Sequence, residues 1–153
     1  MGGTILCGVT DSSEGRGAAQ LADALSDRLG LRLVLAHVVD VHPTAHESLT
    51  ARQGAIGAAR ALEGVARDLG LTDVEIRIVL GDRAGQLGEL ADEEEADLII
   101  LGSRTGGFRD RQLSCRLAVE LESKTSTPVV IAPPQTRPRS QRHLALADSA
   151  AAG

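Results

Sequence analysis

Five short runs of aliphatic residues recur along the chain, and the segments between them carry apolar residues three or four apart; this alternation limits the available folds more than any other feature. Thr4 to Val9 is continuously apolar, as a strand buried on both faces must be, and it ends in a polar, glycine-containing turn. Ala18, Leu21, Ala22, Leu25 and Leu29 then repeat at helical spacing, with Asp11, Ser12 or Ser13 available as N-cap and Gly30 as the stop. Arg32 to Val39 gives a second strand, and Pro43 blocks regular structure in the loop after it. A long helix is predicted from Glu47 to Leu69, closed by Gly70. Val74 to Leu80 alternates apolar with charged residues, which predicts a third strand at a sheet edge with one wet face. A short helix follows from Arg83 to Glu95, on which Asp92 to Glu95 reads as a solvated face. Asp97 to Leu101 is the fourth strand, Gly102 to Asp110 a glycine-rich loop, Arg111 to Lys124 a fourth helix with Leu113, Leu117, Ala118 and Leu121 inward, and Pro128 to Ala132 the fifth strand. Strands alternating with helices require crossovers, and crossovers build a single parallel sheet, doubly wound with helices on both faces.

The chain has 153 residues, which suits one domain, because single cores run to about 100–200 residues. From Pro133 onward prolines, arginines and small residues alternate without an apolar face, so residues 1–134 are expected to form the domain and residues 135–153 a disordered tail. Phe108 is the sole aromatic residue, so stacking platforms for bases are missing. The formal net charge of -5 supplies no positive field for a phosphate backbone, and together these features argue against nucleic-acid binding. Cys7 and Cys115 have no metal-ligand spacing; both are expected to be buried small apolar residues in a reducing compartment. No run approaches the ~20 apolar residues of a membrane span, and the N-terminus lacks the basic and apolar regions of a signal peptide, so no membrane association and a cytoplasmic location are expected.

In an open parallel sheet ligands bind beyond the carboxyl ends of the strands, where the strand order reverses. Two loops have suitable composition, Thr10 to Gly17 and Gly102 to Asp110. Glycines admit a phosphate to the backbone, and the following helix N-terminus offers free N–H groups. ILCGVTDSSEGR, LRLVLAHVVD, GDRAGQLGELADEEEADLIILGSR and TPVVIAPP, in that order and spacing, resemble the successive blocks of the universal stress protein family over residues 4–134. The resemblance implies an adenine nucleotide alpha hydrolase-like fold, a five-stranded sheet in the order 3-2-1-4-5, and a homodimer in which the last strands, with Val129, Val130 and Ile131, pair between subunits.

Nucleotide-binding members of that family carry G-x-x-G, nine residues, G and then Ser or Thr after the fourth strand, and an aspartate at the end of the first. Gly102 matches the first glycine, but Thr105 stands at the second, Cys115 at the third, Arg116 at the hydroxyl and Thr10 at the aspartate. Val38 matches the residue that packs on adenine, a match that a buried strand explains equally well. A Cβ at Thr105 or Cys115 penalises positive φ and narrows the approach of a phosphate, and Thr10 cannot accept as a carboxylate does. Asp11 through a local shift, and Gly106 with Gly107 as a re-formed nest, are the groups available to compensate.

The resulting expectation is a non-catalytic, dimeric stress-response or regulatory module acting on an unidentified protein partner, without a cofactor. The alternative is an ATP- or AMP-binding switch that uses the crevice between strands one and four. An enzyme of the related hydrolase superfamily is disfavoured, because TDSSEG lacks the glycines of an SGGxDS loop and no H-x-G-H element occurs. His42, His46 and Glu47 read as exposed loop residues, since no third metal ligand is placed by spacing. His37 reads as a satisfied core residue. Ser12, Ser13 and Ser114 have no partner base in the sequence.

Overall fold

The computed structural model describes residues 2–9, 13–40, 47–102 and 108–133. Among these residues nine elements alternate in the predicted order: β1 (Thr4–Gly8), α1 (Ser13–Leu29), β2 (Arg32–Val39), α2 (Glu47–Asp68), β3 (Val74–Leu80), α3 (Arg83–Glu93), β4 (Ala96–Gly102), α4 (Phe108–Lys124) and β5 (Val129–Ala132). The strands form one sheet in the order β3-β2-β1-β4-β5, and every pairing is parallel.

The register explains why the two central strands read as unbroken apolar runs. Ile5 and Cys7 of β1 face one side with Leu33 and Leu35 of β2 and Ile100 of β4, where Ala18, Ala19 and Ala22 of α1 and Leu62 and Ala66 of α2 cover them. Leu6 faces the other side with Val34, Ala36, Val38, Ile99 and Leu101, beneath Leu87 and Leu90 of α3 and Leu121 of α4. Among the described residues the interior is therefore aliphatic apart from Cys7 and Thr4. Alanines on the buried side of α1 let that helix lie close to the sheet, and each buried leucine or isoleucine contributes about 1.5–3 kcal/mol.

Helix ends follow the local signals. Gly30 and Gly70, both at φ 65°, close α1 and α2, and the N–H groups of Leu31 and Leu71 reach back to the carbonyls of Ser26 (3.0 Å) and Ala66 (2.8 Å). This is the six-to-one bond of a left-handed cap, which a side chain at the glycine would strain. Asp82, at φ -70° and ψ 129°, caps α3 by accepting from the Gly85 N–H at 2.8 Å. α4 starts at Phe108, three residues before the expected Arg111, because past Gly107 nothing in Phe108, Arg109 and Asp110 opposes helix.

Two expectations fail in the packing. Cys7 is buried, but Cys115 is exposed, because the inward side of α4 is set by Leu117 and Leu121 and residue 115 lies two positions, about half a turn, from Leu117. The Asp92–Glu95 run is not uniformly solvated: the Glu94 side chain is only 9% exposed and lies between two arginines. Its Oε1 accepts from Arg77 at 2.6 Å and its Oε2 from Arg32, while Glu75 meets the same Arg32 at 2.9 Å. These charges cover the amino-terminal corner of β2 and β3 on the α3 side of the sheet. β3 does lie at the sheet edge, as its alternation predicts. Among the described residues, no helix is long and apolar enough to cross a membrane.

Candidate functional site

The strand order reverses between β1 and β4, whose carboxyl ends lie side by side and leave space where their helices depart in opposite directions. The end of β1 is fixed to β2 by two bonds. The Val9 N–H donates to the Ala36 carbonyl at 2.8 Å, and His37 Nδ1 donates to the Val9 carbonyl at 2.7 Å. His37 is hydrogen-bonded as expected but is not the core residue expected: it is half-buried and lines the crevice at these strand ends, and its bond fixes the tautomer and holds the backbone just before Thr10.

A crevice opens at this place, of about 360 Å³ counting the open space at its mouth. Gly8 forms part of its floor, and a Cβ built there would stand 2.8 Å from Leu101 Cδ2. Val38 and Leu101 from the sheet, Leu87 from α3 and Leu117 from α4 make aliphatic walls. Arg83 and Gly102 stand among the lining residues too. Arg83 is the first residue of α3, and its guanidinium lies 3.6 Å from Asp40, an ion-pair distance too long for a hydrogen bond.

The candidate nucleotide residues divide into three groups. Val38 and Gly102 come together in this crevice, Val38 buried in the wall and Gly102 as the last residue of β4. Thr10, Asp11, Thr105, Gly106 and Gly107 lie outside the described residues. Cys115 and Arg116 are the eighth and ninth residues of α4, both exposed. At that depth in a helix, backbone N–H groups are already bonded to carbonyls four residues back, so they are not available to an anion as the first four would be. It is the neighbouring Leu117 that reaches the crevice.

Sequence reasoning missed the contribution of α3. Arg83 and Leu87 reach the site because the Asp82 cap starts α3 at the carboxyl end of β3; the Asp-Arg pair after Gly81 was the available signal. Cys7 is sealed in the core, and burial pushes its thiol up to about 12, which removes it from chemistry at neutral pH. Among the described residues no group of three His, Cys, Asp or Glu side chains is placed to hold a metal, and His42 and His46 lie outside them.

A doubly wound parallel sheet with helices on both faces and a crevice at its switch point places the chain in the α/β class of proteins. Within it, the chain belongs to the universal stress protein family, whose model matches residues 1–133. A universal stress protein crystallised in complex with cAMP is 25% identical, with a TM-score of 0.62 and coverage of 85% of this chain and 95% of that one. The universal stress protein UspA from Lactobacillus plantarum shares the fold at 19% identity and a TM-score of 0.70, over 85% of this chain and 97% of its own. So does a universal stress protein from Archaeoglobus fulgidus in complex with dAMP, at 16% identity and a TM-score of 0.59, over 86% of this chain and 98% of that one. No curated protein matches the chain significantly in sequence.

Proposed function

We propose that this chain is a non-catalytic regulatory module of stress-response type, working in the cytoplasm as a homodimer on a protein partner and holding no ATP. The observation that carries the reading is the position of Cys115 and Arg116 inside α4. The resemblance assigns the last glycine and the phosphate hydroxyl to these two positions. Here they supply a thiol and a guanidinium on the exposed side of a helix whose N–H groups are spent at that depth. The dimer is supported by β5, a four-residue edge strand with Val130 37% exposed and its outer hydrogen-bonding edge unpaired among the described residues.

A second reading, a nucleotide-binding switch, is favoured by the crevice itself: its walls include Val38, its lining includes Gly102, and structures of similar proteins are complexes with cAMP and dAMP. Calorimetry with ATP and magnesium separates the two. The wild type is expected to bind no tighter than about 1 mM. A chain carrying Thr10→Asp, Thr105→Gly, Cys115→Gly and Arg116→Ser is expected to gain at least about tenfold, because one charged hydrogen bond contributes about 1.5–3 kcal/mol. Micromolar binding by the wild type would establish the switch and remove the leading reading.

A further inference from the structure

We infer that the outer face of α2 is a docking surface for an acidic helix of a partner protein, held by Arg52, Arg60 and Arg67 and seated against Gly57 and Gly64. The inference gives the chemistry of the partner in the regulatory reading above, and it rests on that reading.

α2 turns Ala58, Leu62 and Ala66 toward the sheet. At about 3.6 residues per turn, Arg52, Ile56, Arg60 and Arg67 then fall together on a stripe away from it, and all of them are exposed. Arg16, Arg32, Arg77 and Arg83 each lie beside a carboxylate. The arginines of the stripe have no ion pair or side-chain hydrogen bond among the described residues, and Asp68, next to Arg67, is held by Arg16 at 2.8 Å. The chain as a whole carries a formal net charge of -5, so this strip is a local positive field on an acidic body.

Two glycines on the same face have no use inside the chain. Gly57 and Gly64 flank Arg60, about one turn to either side. A glycine in a helix interior is destabilising relative to alanine, yet a Cβ built at either position would meet nothing within 4 Å. Bare backbone there lets another helix lie close, an advantage that exists only when one is present.

Arg52, Arg60 and Arg67 follow one another at about two turns, over about 22 Å of axis, which matches carboxylates repeated on one side of a helix of about four turns. A guanidinium takes a carboxylate in bidentate fashion, and Ile56, 56% exposed, offers an aliphatic contact between the first two arginines. Glu63 stands on the same stripe between Arg60 and Arg67 and repels any carboxylate placed opposite it, which restricts the register. An anionic membrane fits less well. It is an extended plane that meets the whole acidic body, and Ile56 is the one large apolar side chain exposed on the stripe among the described residues, too little for interfacial burial. A single helix meets chiefly the local field, because charges are screened beyond about 8 Å at physiological salt. A second copy also fits less well, because its exposed Glu89, Asp92 and Glu93 lie on α3, whose 11 residues run only about 16 Å.

The probe is an alanine-based helical peptide of about six turns, with glutamates at two-turn intervals and leucines between them on the same side. A counterpart carries glutamine at every glutamate, and vesicles of phosphatidylcholine with phosphatidylserine form the third arm. Affinity for the full chain is read by fluorescence anisotropy, the contact by backbone NMR shifts, and the fold of each variant by circular dichroism. The acidic peptide should bind with a Kd below about 1 mM and shift α2, and the glutamine peptide, which tests the same charges without touching the fold, should bind at least about tenfold more weakly. Arg60→Gln should weaken the acidic peptide about twofold to fivefold, the same change at Arg52, Arg60 and Arg67 together about tenfold, and Glu63→Gln should tighten it about twofold. Gly57→Ala with Gly64→Ala should raise the melting temperature and yet weaken the peptide about fivefold or more. The inference is overturned if the acidic peptide does not bind at about 5 mM, if both peptides bind alike, or if the shifts fall away from α2. It is equally overturned if the vesicles bind through the arginines, if Arg60→Gln changes the mass in light scattering, or if the alanine pair leaves affinity intact. Micromolar ATP binding with the peptide result unchanged would instead sink the leading functional reading alone, so the two failures are distinct.

Discussion

Gly8→Ala puts a methyl group where the crevice floor meets the core. The new Cβ would lie 2.8 Å from Leu101 Cδ2, with Leu87 Cδ1 at an ordinary 3.6 Å. Carbon atoms prefer about 3.5–4.0 Å, so the Leu101 methyl must retreat by roughly 1 Å. Leu101 is 3% exposed and packs in the same cluster as Leu87 and Leu121, so the room it has to turn lies on its crevice side. Overpacking of this kind costs about 1–3 kcal/mol, while replacing a strand glycine with alanine returns about 0.5–1 kcal/mol of backbone entropy. The net expectation is a loss of up to about 2.5 kcal/mol, read as a lower urea midpoint at unchanged slope and a melting temperature lower by up to about 8 °C. A double-mutant cycle isolates the cause. Leu101→Val removes the clashing Cδ2 atom, and in that background Gly8→Ala should change sign and stabilise by about 0.5–1 kcal/mol. Stabilisation by Gly8→Ala in the wild-type chain, or a coupling with Leu101 below about 0.5 kcal/mol, would refute the close approach on which the shape of the floor depends.

Glu94→Gln should cost about 1–2 kcal/mol in urea denaturation. That is less than the 3–5 kcal/mol of a fully buried broken pair, because the Arg32 and Arg77 side chains are 48% and 35% exposed; a change below about 0.5 kcal/mol would show the network to be a surface feature. The raised Cys7 thiol makes stability pH-dependent on the alkaline side. The folded chain keeps its proton to about pH 12 while the unfolded chain loses it near 9.0, so stability is full below the lower value and is lost at up to about 1.4 kcal/mol per pH unit between the two; Cys7→Ala should flatten this slope. Thiol labelling of the native protein should modify the exposed Cys115 alone, with Cys7 reacting only on unfolding. Light scattering after size exclusion should give a dimer at tens of micromolar that Val130→Lys weakens, whereas a monomeric wild type would remove the β5 pairing. Truncation after Pro134 should leave the melting temperature unchanged; a fall of several degrees would show that the tail packs on the domain.

Elements that hydrophobic pattern dictates were legible in the residues. β1 and β4 read as buried because both their faces are covered, β3 read as an edge because Glu75 and Arg77 interrupt it, and Gly30 and Gly70 marked their helix ends through the left-handed caps they form. The sheet order came from the resemblance, since periodicity alone does not say which strands are neighbours. What stayed hidden depends on contacts between distant segments. Glu94 looked like one acid in a solvated run, because nothing near it in sequence shows that Arg32 and Arg77 arrive on the same side of the sheet. Cys115 was misplaced because a cysteine's usual preference for burial was allowed to outweigh its angle on α4 from Leu117 and Leu121. Of the residues that line the crevice, Val38 and Gly102 were named through the family resemblance, while Arg83 was passed over because an arginine at a helix start reads as solvated until the fold turns it toward the switch point.

The two outer strands differ in how they could receive another chain. β3 is one border of the sheet, and Arg77 and Glu75 on it are engaged with Glu94 and Arg32, so an incoming strand would have to settle beside a lattice of fixed charges. β5, at the opposite border, is short and made of Val129, Val130, Ile131 and Ala132. A sheet with two receptive borders can add copies without end and grow into a fibre. With only one, addition stops once that border is used; where β5 pairs as proposed, the charges on β3 therefore disfavour a third copy in an assembly built through strand pairing.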